Sequence, residues 1–361
     1  MNIQQATREF ETWLSSHISL VAEDLAVKHF QMADGIFPFF RATFYRWMQL
    51  WPAVGHQLTD APDVLAIGDL HVENFGTWRD AEGRLAWGVN DFDEATRLPY
   101  TMDLVRLAAS ALLACGSDHL AISPKAACDA ILSGYADSLN AGGEPFVLAE
   151  KHAWLRSSAE DRVRDPAVFW QTLDDLPVVN DPLPPDAAMT IEELLPVRGL
   201  DYRVVKRIKG LGSLGRQRFT ALAKWCGGMI AREAKALAPS ACHWATGRIQ
   251  DLQIQYPVIL AAATRCPDPF LHAGEHWVVR RLAPDCTRIE LASLTKAASE
   301  ARVLRAMGWE TANVHLGSDG ATRDVLGDLR KQPEHWLLTA ARKMLNSVAA
   351  DWEEWKTVKR K

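Results

Sequence analysis

Residues 68–95, GDLHVENFGTWRDAEGRLAWGVNDFDEA, decide how the rest of the chain is read. The apolar run before them, DVLAI (63–67), predicts a buried strand that ends at Gly68 and feeds a loop. NFGTW and RLAWGVN predict paired strands, and RDAEGR between them supplies the Asp and Gly of a tight turn. The stretch is therefore a short hairpin flanked by acids: Asp69 precedes it, Asn74 stands at its entry, and Asp91, Asp93 and Glu94 follow it.

Phosphoryl transfer from a nucleotide needs a carboxylate near the acceptor hydroxyl and oxygen ligands for the magnesium that neutralises the phosphate. In protein kinases the first carboxylate opens a loop, an asparagine five residues later is one metal ligand, and an aspartate after a hairpin is another. Asp69, Asn74 and Asp91 have that layout. Asp69, with His71 beside it in the loop, is the expected catalytic pair, and Asn74 and Asp91 are the expected Mg²⁺ ligands. Asp93 and Glu94 read as a supporting or solvated pair. Asp103 is placed to cap the helix predicted from Leu104, Leu107, Ala108, Ala111 and Leu112, and so to support the loop.

Upstream, residues 1–50 read mainly as helix, with Lys28 and Arg41 near an aromatic run as candidate anion contacts. Residues 116–175 continue as helices. DDLPVVNDPLPPDAAM then breaks the pattern with four prolines and reads as a boundary or flap. From about 200 the chain predicts three short strands joined by a glycine-rich turn and by CGG, with HWVVRRLAP (276–284) as a further strand. The expected division is a helical part bearing the catalytic loop (1–200), a β-rich nucleotide-covering lobe (201–291), and C-terminal helices (292–361).

Nucleotide kinases also need a glycine-rich turn whose amides approach the phosphates, followed by a basic side chain. GLGSLG supplies Gly210, Gly212, Ser213 and Gly215, and Arg232 lies 22 residues beyond Gly210. Lys235 is the alternative, and on an alternating strand it points to the face opposite Arg232. Glu233 pairs with either or is a solvated strand charge. The turn follows the catalytic loop, whereas in ordinary kinases it precedes it, and only 67 residues lie before Gly68. The order leaves two expectations: a circularly permuted two-lobe α+β fold, which is the favoured one, or a glycine turn that is an unrelated hairpin.

Composition narrows the partners. With 40 basic and 45 acidic residues the formal net charge is −5, which leaves no domain-wide basic field for nucleic acid. No apolar run has the length of a membrane span and the N-terminus has no secretory signal, so a cytoplasmic protein is expected. The six cysteines include no C-x-x-C pair and read as buried reduced thiols.

GDLHVEN, NDFDEA and MDLVRLA together resemble the catalytic loop, metal-binding segment and following aspartate of aminoglycoside and choline phosphotransferases. That resemblance implies the protein-kinase-like fold. With FPFFRATFYRW, KGLGSLG and AREAKAL, the chain looks like the bacterial family catalogued as domain of unknown function 2252, from about Lys28 to His315. The expected activity is an ATP- and Mg²⁺-dependent phosphotransferase acting on an acceptor that these residues do not identify. Two alternatives stand beside it: a catalytically silent kinase-like nucleotide binder, and a metal-dependent phosphoesterase built on GDLH. The latter needs an Asn-His pair, which the chain lacks. A serine hydrolase has no G-x-S-x-G on which to stand, and His315 is left outside the site.

Overall fold

The computed structural model describes residues 1–116, 121–148, 151–160, 164–248, 252–287 and 297–359, a mixture of helices and antiparallel strands. The run after Pro62 forms β1 (Asp63–Ala66), and the hairpin forms β2 (Phe75–Arg79) and β3 (Leu85–Val89). Asp80 closes the hairpin turn: its Oδ1 accepts from the amides of Glu82 and Arg84 at 3.0 and 2.8 Å. β4 (Thr96–Pro99) runs back along β1, and the short β5 (Phe146–Val147) adds to β3.

This register brings the acids together. Ala66 pairs with Thr96, so the chain leaving β1 lies beside the chain entering β4. Phe75 pairs with Val89, and the Asn90 amide donates to the Asn74 carbonyl at 2.8 Å. The segments 67–74 and 90–95 therefore emerge at one end of the two small sheets.

The helix Tyr100–Gly116 runs through the core, buried at every residue from Tyr100 to Leu112. It starts at Tyr100, so Asp103 sits inside its first turn and does not cap it. The aromatic run contributes Phe39, Phe40, Phe44, Tyr45 and Trp47 to the same apolar core, which the helices Pro124–Ala141, Ala297–His315 and Trp336–Lys359 complete.

Beyond residue 200, β6 (Tyr202–Val205), β7 (Arg218–Trp225), β8 (Gly228–Ala236), β9 (Leu271–Ala273) and β10 (Trp277–Leu282) form an antiparallel sheet in the order β6-β7-β8-β10-β9. GLGSLG lies in the connection from β6 to β7, and Cys226 and Gly227 turn β7 into β8. Side chains alternate across the sheet. Ala234 and Ala236 pack with Ala187 and Ile191 of the helix Pro185–Glu193, whereas Ala231 packs on the other face with Phe169 and Leu173 of the helix Pro166–Asp174. A sheet apolar on both faces needs cover on both. It draws that cover from residues before 201, upstream of the boundary expected from sequence. The proline-rich stretch is likewise tied down: Val179 donates to Val204 and Lys206 to Pro177, at 2.9 and 2.8 Å, along the edge of β6. It is part of the sheet's border and not a free flap.

Among the described residues, no helix is long and apolar enough to cross a membrane. The six cysteines are all free thiols, but only Cys128, Cys242 and Cys266 are buried as expected; Cys115 and Cys286 are partly exposed, and Cys226 is exposed in the turn from β7 to β8.

Candidate active site

Three residues of the buried helix, Asp103, Arg106 and Ser110, share one face by their spacing of three and four, and together they hold the loop after β1. Asp103 accepts from the amides of Ile67 and Gly68 at 2.7 and 2.9 Å. Ser110 Oγ accepts from the Val72 amide at 3.0 Å. Between them Arg106 donates to Asp69 Oδ1, through Nε at 2.9 Å and also through Nη2. The Arg106 guanidinium is fully buried over Phe40, Phe44 and Trp47, with ring centroids 4.1, 4.9 and 4.9 Å away. Behind Asp103, His315 Nε2 lies 2.9 Å from its Oδ2, and His315 Nδ1 lies 2.8 Å from the Tyr135 hydroxyl. His315 thus reaches the loop through Asp103. Sequence reading missed Arg106 and Ser110. Their one trace was a charged residue three positions after Asp103 in an otherwise apolar helix, where a cation must find a partner.

Burial pushes the Asp69 carboxyl above its ordinary range, against the pull of Arg106 and Arg41. Both Arg106 donors go to Oδ1, while Oδ2 faces the glycine turn. A Cβ added at Gly212 would stand 3.3 Å from Asp69 Oδ2 and 3.1 Å from the Arg41 carbonyl, so backbone comes here as close to the carboxylate as a side chain would allow. Gly210 and Ser213 line the same cavity, whereas Gly215 lies at the turn's far end, where its carbonyl accepts from Val21 at 2.8 Å. His71 is buried beside Asp69; its Nδ1 accepts from the Glu73 amide at 3.2 Å, and its ring meets Phe37 edge-on.

Lys235 joins the sheet to the acids after the hairpin. Its ammonium lies 3.1 and 3.3 Å from the two oxygens of Asp91 and 2.6 Å from Asp93. Arg216 reaches Glu94 at 3.0 Å and Asp93 at 3.5 Å, and Glu94 also accepts from Ser240 Oγ and the Ala241 amide. Burial opposes ionisation of Asp91, but Lys235 and Arg280 outweigh it and hold its carboxyl well below the usual range. Asp93 shifts the other way, through burial and the neighbouring charge of Asp91. Burial pushes Glu94 up to about 7, against Arg216. Asp93 and Glu94 are therefore buried, paired acids and not a solvated pair.

Arg232 does not join this cluster. It lies on the opposite face of β8, where Nε donates to the Leu194 carbonyl at 2.8 Å and the guanidinium stacks on Phe270 at 4.7 Å. The count of 22 residues from Gly210 pointed to it, but strand parity turns it away and leaves Lys235 as the cation facing the acids. Glu233, on the Lys235 face, pairs with neither of the partners expected for it. Burial is outweighed by Arg218, Arg207 and Arg280, which surround it at 2.6, 2.6 and 3.2 Å and hold it ionised.

Two cavities meet at these residues. The smaller, about 60 Å³, is lined by Lys28, Arg41, Asp69, His71, Gly212 and Arg216, among others. The larger, about 420 Å³, is lined on its polar side by Arg164, Arg207, Lys209, Arg280 and Arg281. Asn74 and Asp91 border both; Asp69 borders only the smaller. The larger has the size of a small-molecule site and a cationic wall suited to phosphate, while the smaller has room for a few water-sized groups.

Asn74 donates its Nδ2 to the Asp69 carbonyl at 2.7 Å, which leaves its carboxamide oxygen as the atom available to a cation. Among the described residues, Asp93 Oδ1 is buried without a hydrogen-bond partner. Among the described residues no three His, Cys, Asp or Glu side chains gather into a metal-binding group. A magnesium ion at Asn74 and Asp91 would take its remaining ligands from phosphate and water, as Mg²⁺ sites beside nucleotides do.

Comparison with known proteins adds one finding. Residues 20–166 match the family described as "Uncharacterized protein conserved in bacteria (DUF2252)". The match covers Lys28, Arg41, the loop, the hairpin, Asp103 and Arg106, whereas the glycine turn and Lys235 lie beyond it. No curated protein and no solved structure matches the chain.

Proposed function

We propose that the chain is an ATP- and Mg²⁺-dependent phosphotransferase on a kinase-like plan, with its nucleotide-covering sheet placed after the catalytic hairpin. What supports the reading above all is the shared wall of the two cavities: Asn74 and Asp91 stand between a nucleotide-sized, cationic space and a small space in which Asp69 waits beneath a glycine turn. The turn joins the first and second strands of its sheet, and Lys235 lies on the third. Those are the places of the phosphate-covering loop and phosphate-contacting lysine in protein kinases.

In this reading the nucleotide occupies the larger cavity with its phosphates toward Asn74 and Asp91. Asp69 Oδ2 orients the acceptor hydroxyl and takes its proton, and its raised carboxyl suits a proton acceptor. Arg106 fixes Oδ1 and so the direction in which Oδ2 points. Asn74 and Asp91 would hold magnesium, which neutralises the phosphate oxygens. Lys235 exchanges Asp91 for phosphate when the nucleotide arrives, and Glu233 keeps Arg207 and Arg280 in place along the cavity wall.

Calorimetric titration of the full chain with a non-hydrolysable ATP analogue, with and without Mg²⁺, tests this. Wild type should bind in a metal-dependent way, and Asp91→Asn should lose at least about tenfold of that affinity. Failure of wild type to bind the analogue would end the reading, and unchanged metal dependence in D91N would remove Asp91 as a ligand. For turnover the informative variant is Asp69→Asn, expected to lose about 10²–10⁴-fold. Asp69→Ala would strip a fully buried arginine of its counter-charge and confound catalysis with stability.

A further inference from the structure

The smaller cavity carries cations that phosphoryl transfer as described does not use. Lys28, on the helix Ala22–Asp34, is only 5% exposed. Among the described residues its ammonium makes one hydrogen bond, to the Gly212 carbonyl at 3.2 Å, and forms no ion pair. Arg41, on the next helix (Ile36–Ala42), gives Nη1 to Glu73, while its buried Nε has no hydrogen-bond partner among the described residues. Both line the cavity that holds Asp69. The acids around that cavity have their own cations: Asp69 has Arg106, Glu94 has Arg216, and Asp91 and Asp93 share Lys235.

A buried ammonium with two unspent donors is costly unless an anion answers it. Burial lowers the Lys28 pKa to about 8 against the more distant pull of Glu11, Glu94 and Asp69, so it keeps its charge at neutral pH. We propose that Lys28 and the Nε edge of Arg41 bind an oxyanion, a phosphate or carboxylate, carried by the acceptor. The acceptor is then an anionic hydroxyl compound, its charged group held at Lys28 and its hydroxyl directed to Asp69. Naming the acceptor rests on the phosphotransferase reading; the oxyanion site does not.

The test uses the full chain without nucleotide, titrated with inorganic phosphate and separately with acetate, followed by thermal melting and calorimetry. Lys28→Met keeps the length of the side chain and removes the charge. It should melt several degrees higher than wild type in anion-free buffer, because a buried charge without an ion-pair partner is gone. Wild type should bind at least one of the two anions and be stabilised by it, and K28M should bind that anion at least about tenfold more weakly. Arg41→Gln should weaken it in the same direction. Equal anion binding in wild type and K28M, binding of neither anion by wild type, or a lower melting temperature for K28M would overturn the site, whatever the chain does with ATP. Repeating the titration with saturating Mg²⁺ and the ATP analogue separates the sources. Retained anion binding assigns the site to the acceptor, and loss of it assigns the site to the nucleotide's terminal phosphate and overturns the proposal.

Discussion

Arg106→Met, alone and with Asp69→Asn, probes the device that holds the loop. Arg106 is fully buried and Asp69 is 20% exposed, so removing the guanidinium leaves a carboxylate short of solvent and of its main partner. Breaking a buried pair in this way costs about 3–5 kcal/mol. The lower end applies here, because water in the cavity reaches Asp69, and methionine retains much of the packing against Phe40, Phe44 and Trp47. A loss of about 3 kcal/mol is expected at pH 7 by equilibrium unfolding in urea. The double variant removes both charges and should recover to within about 1 kcal/mol of wild type, about 2 kcal/mol more stable than R106M, as coupled neighbouring sites do. The penalty also depends on pH. Without Arg106 the folded-state carboxyl of Asp69 rises further above its unfolded value, so the group favours the folded state in acid and loses that contribution as pH rises through its folded pKa. The R106M deficit should therefore shrink as pH falls. A single-variant loss below about 1 kcal/mol, or a double variant no more stable than R106M, would refute the reasoning.

Glu94 predicts a second pH effect: its pKa is raised from 4.5 to about 7, so its stabilising contribution is complete below pH 4.5 and is lost as pH rises through 7. Relative to Glu94→Gln, wild type should lose about 3 kcal/mol across that window. Unfolding curves at a series of pH values measure the slope of the difference independently of any constant offset, and a flat difference would contradict the burial argument. Lys235→Met should weaken binding of the ATP analogue at least about tenfold, whereas Arg232→Met should lower the melting temperature and leave nucleotide affinity alone. Equal effects of the two on affinity would mean that strand parity does not separate them.

The parts of the fold whose causes are local can be read from the order of residues alone. The hairpin follows from alternating strands around an Asp and Gly turn. The burial of the helix Tyr100–Gly116 follows from its apolar run, and β6 to β8 follow from three short β-prone segments divided by glycine. Asn74 and Asp91 were legible as neighbours because hairpin register carries them there. Only the tertiary structure decided which cations answer which acids. Arg106 meets Asp69 across 37 residues, Lys235 meets Asp91 across 144, and Lys28 meets Gly212 across 184. The same holds for Asp103: its spacing reads as a helix cap, yet its carboxylate serves the amides of Ile67 and Gly68. Periodicity reports which face of an element is apolar, but not which distant segment will stand opposite its few polar residues. That depends on how the elements pack, because a buried charge is satisfied by whatever partner the completed core brings within reach.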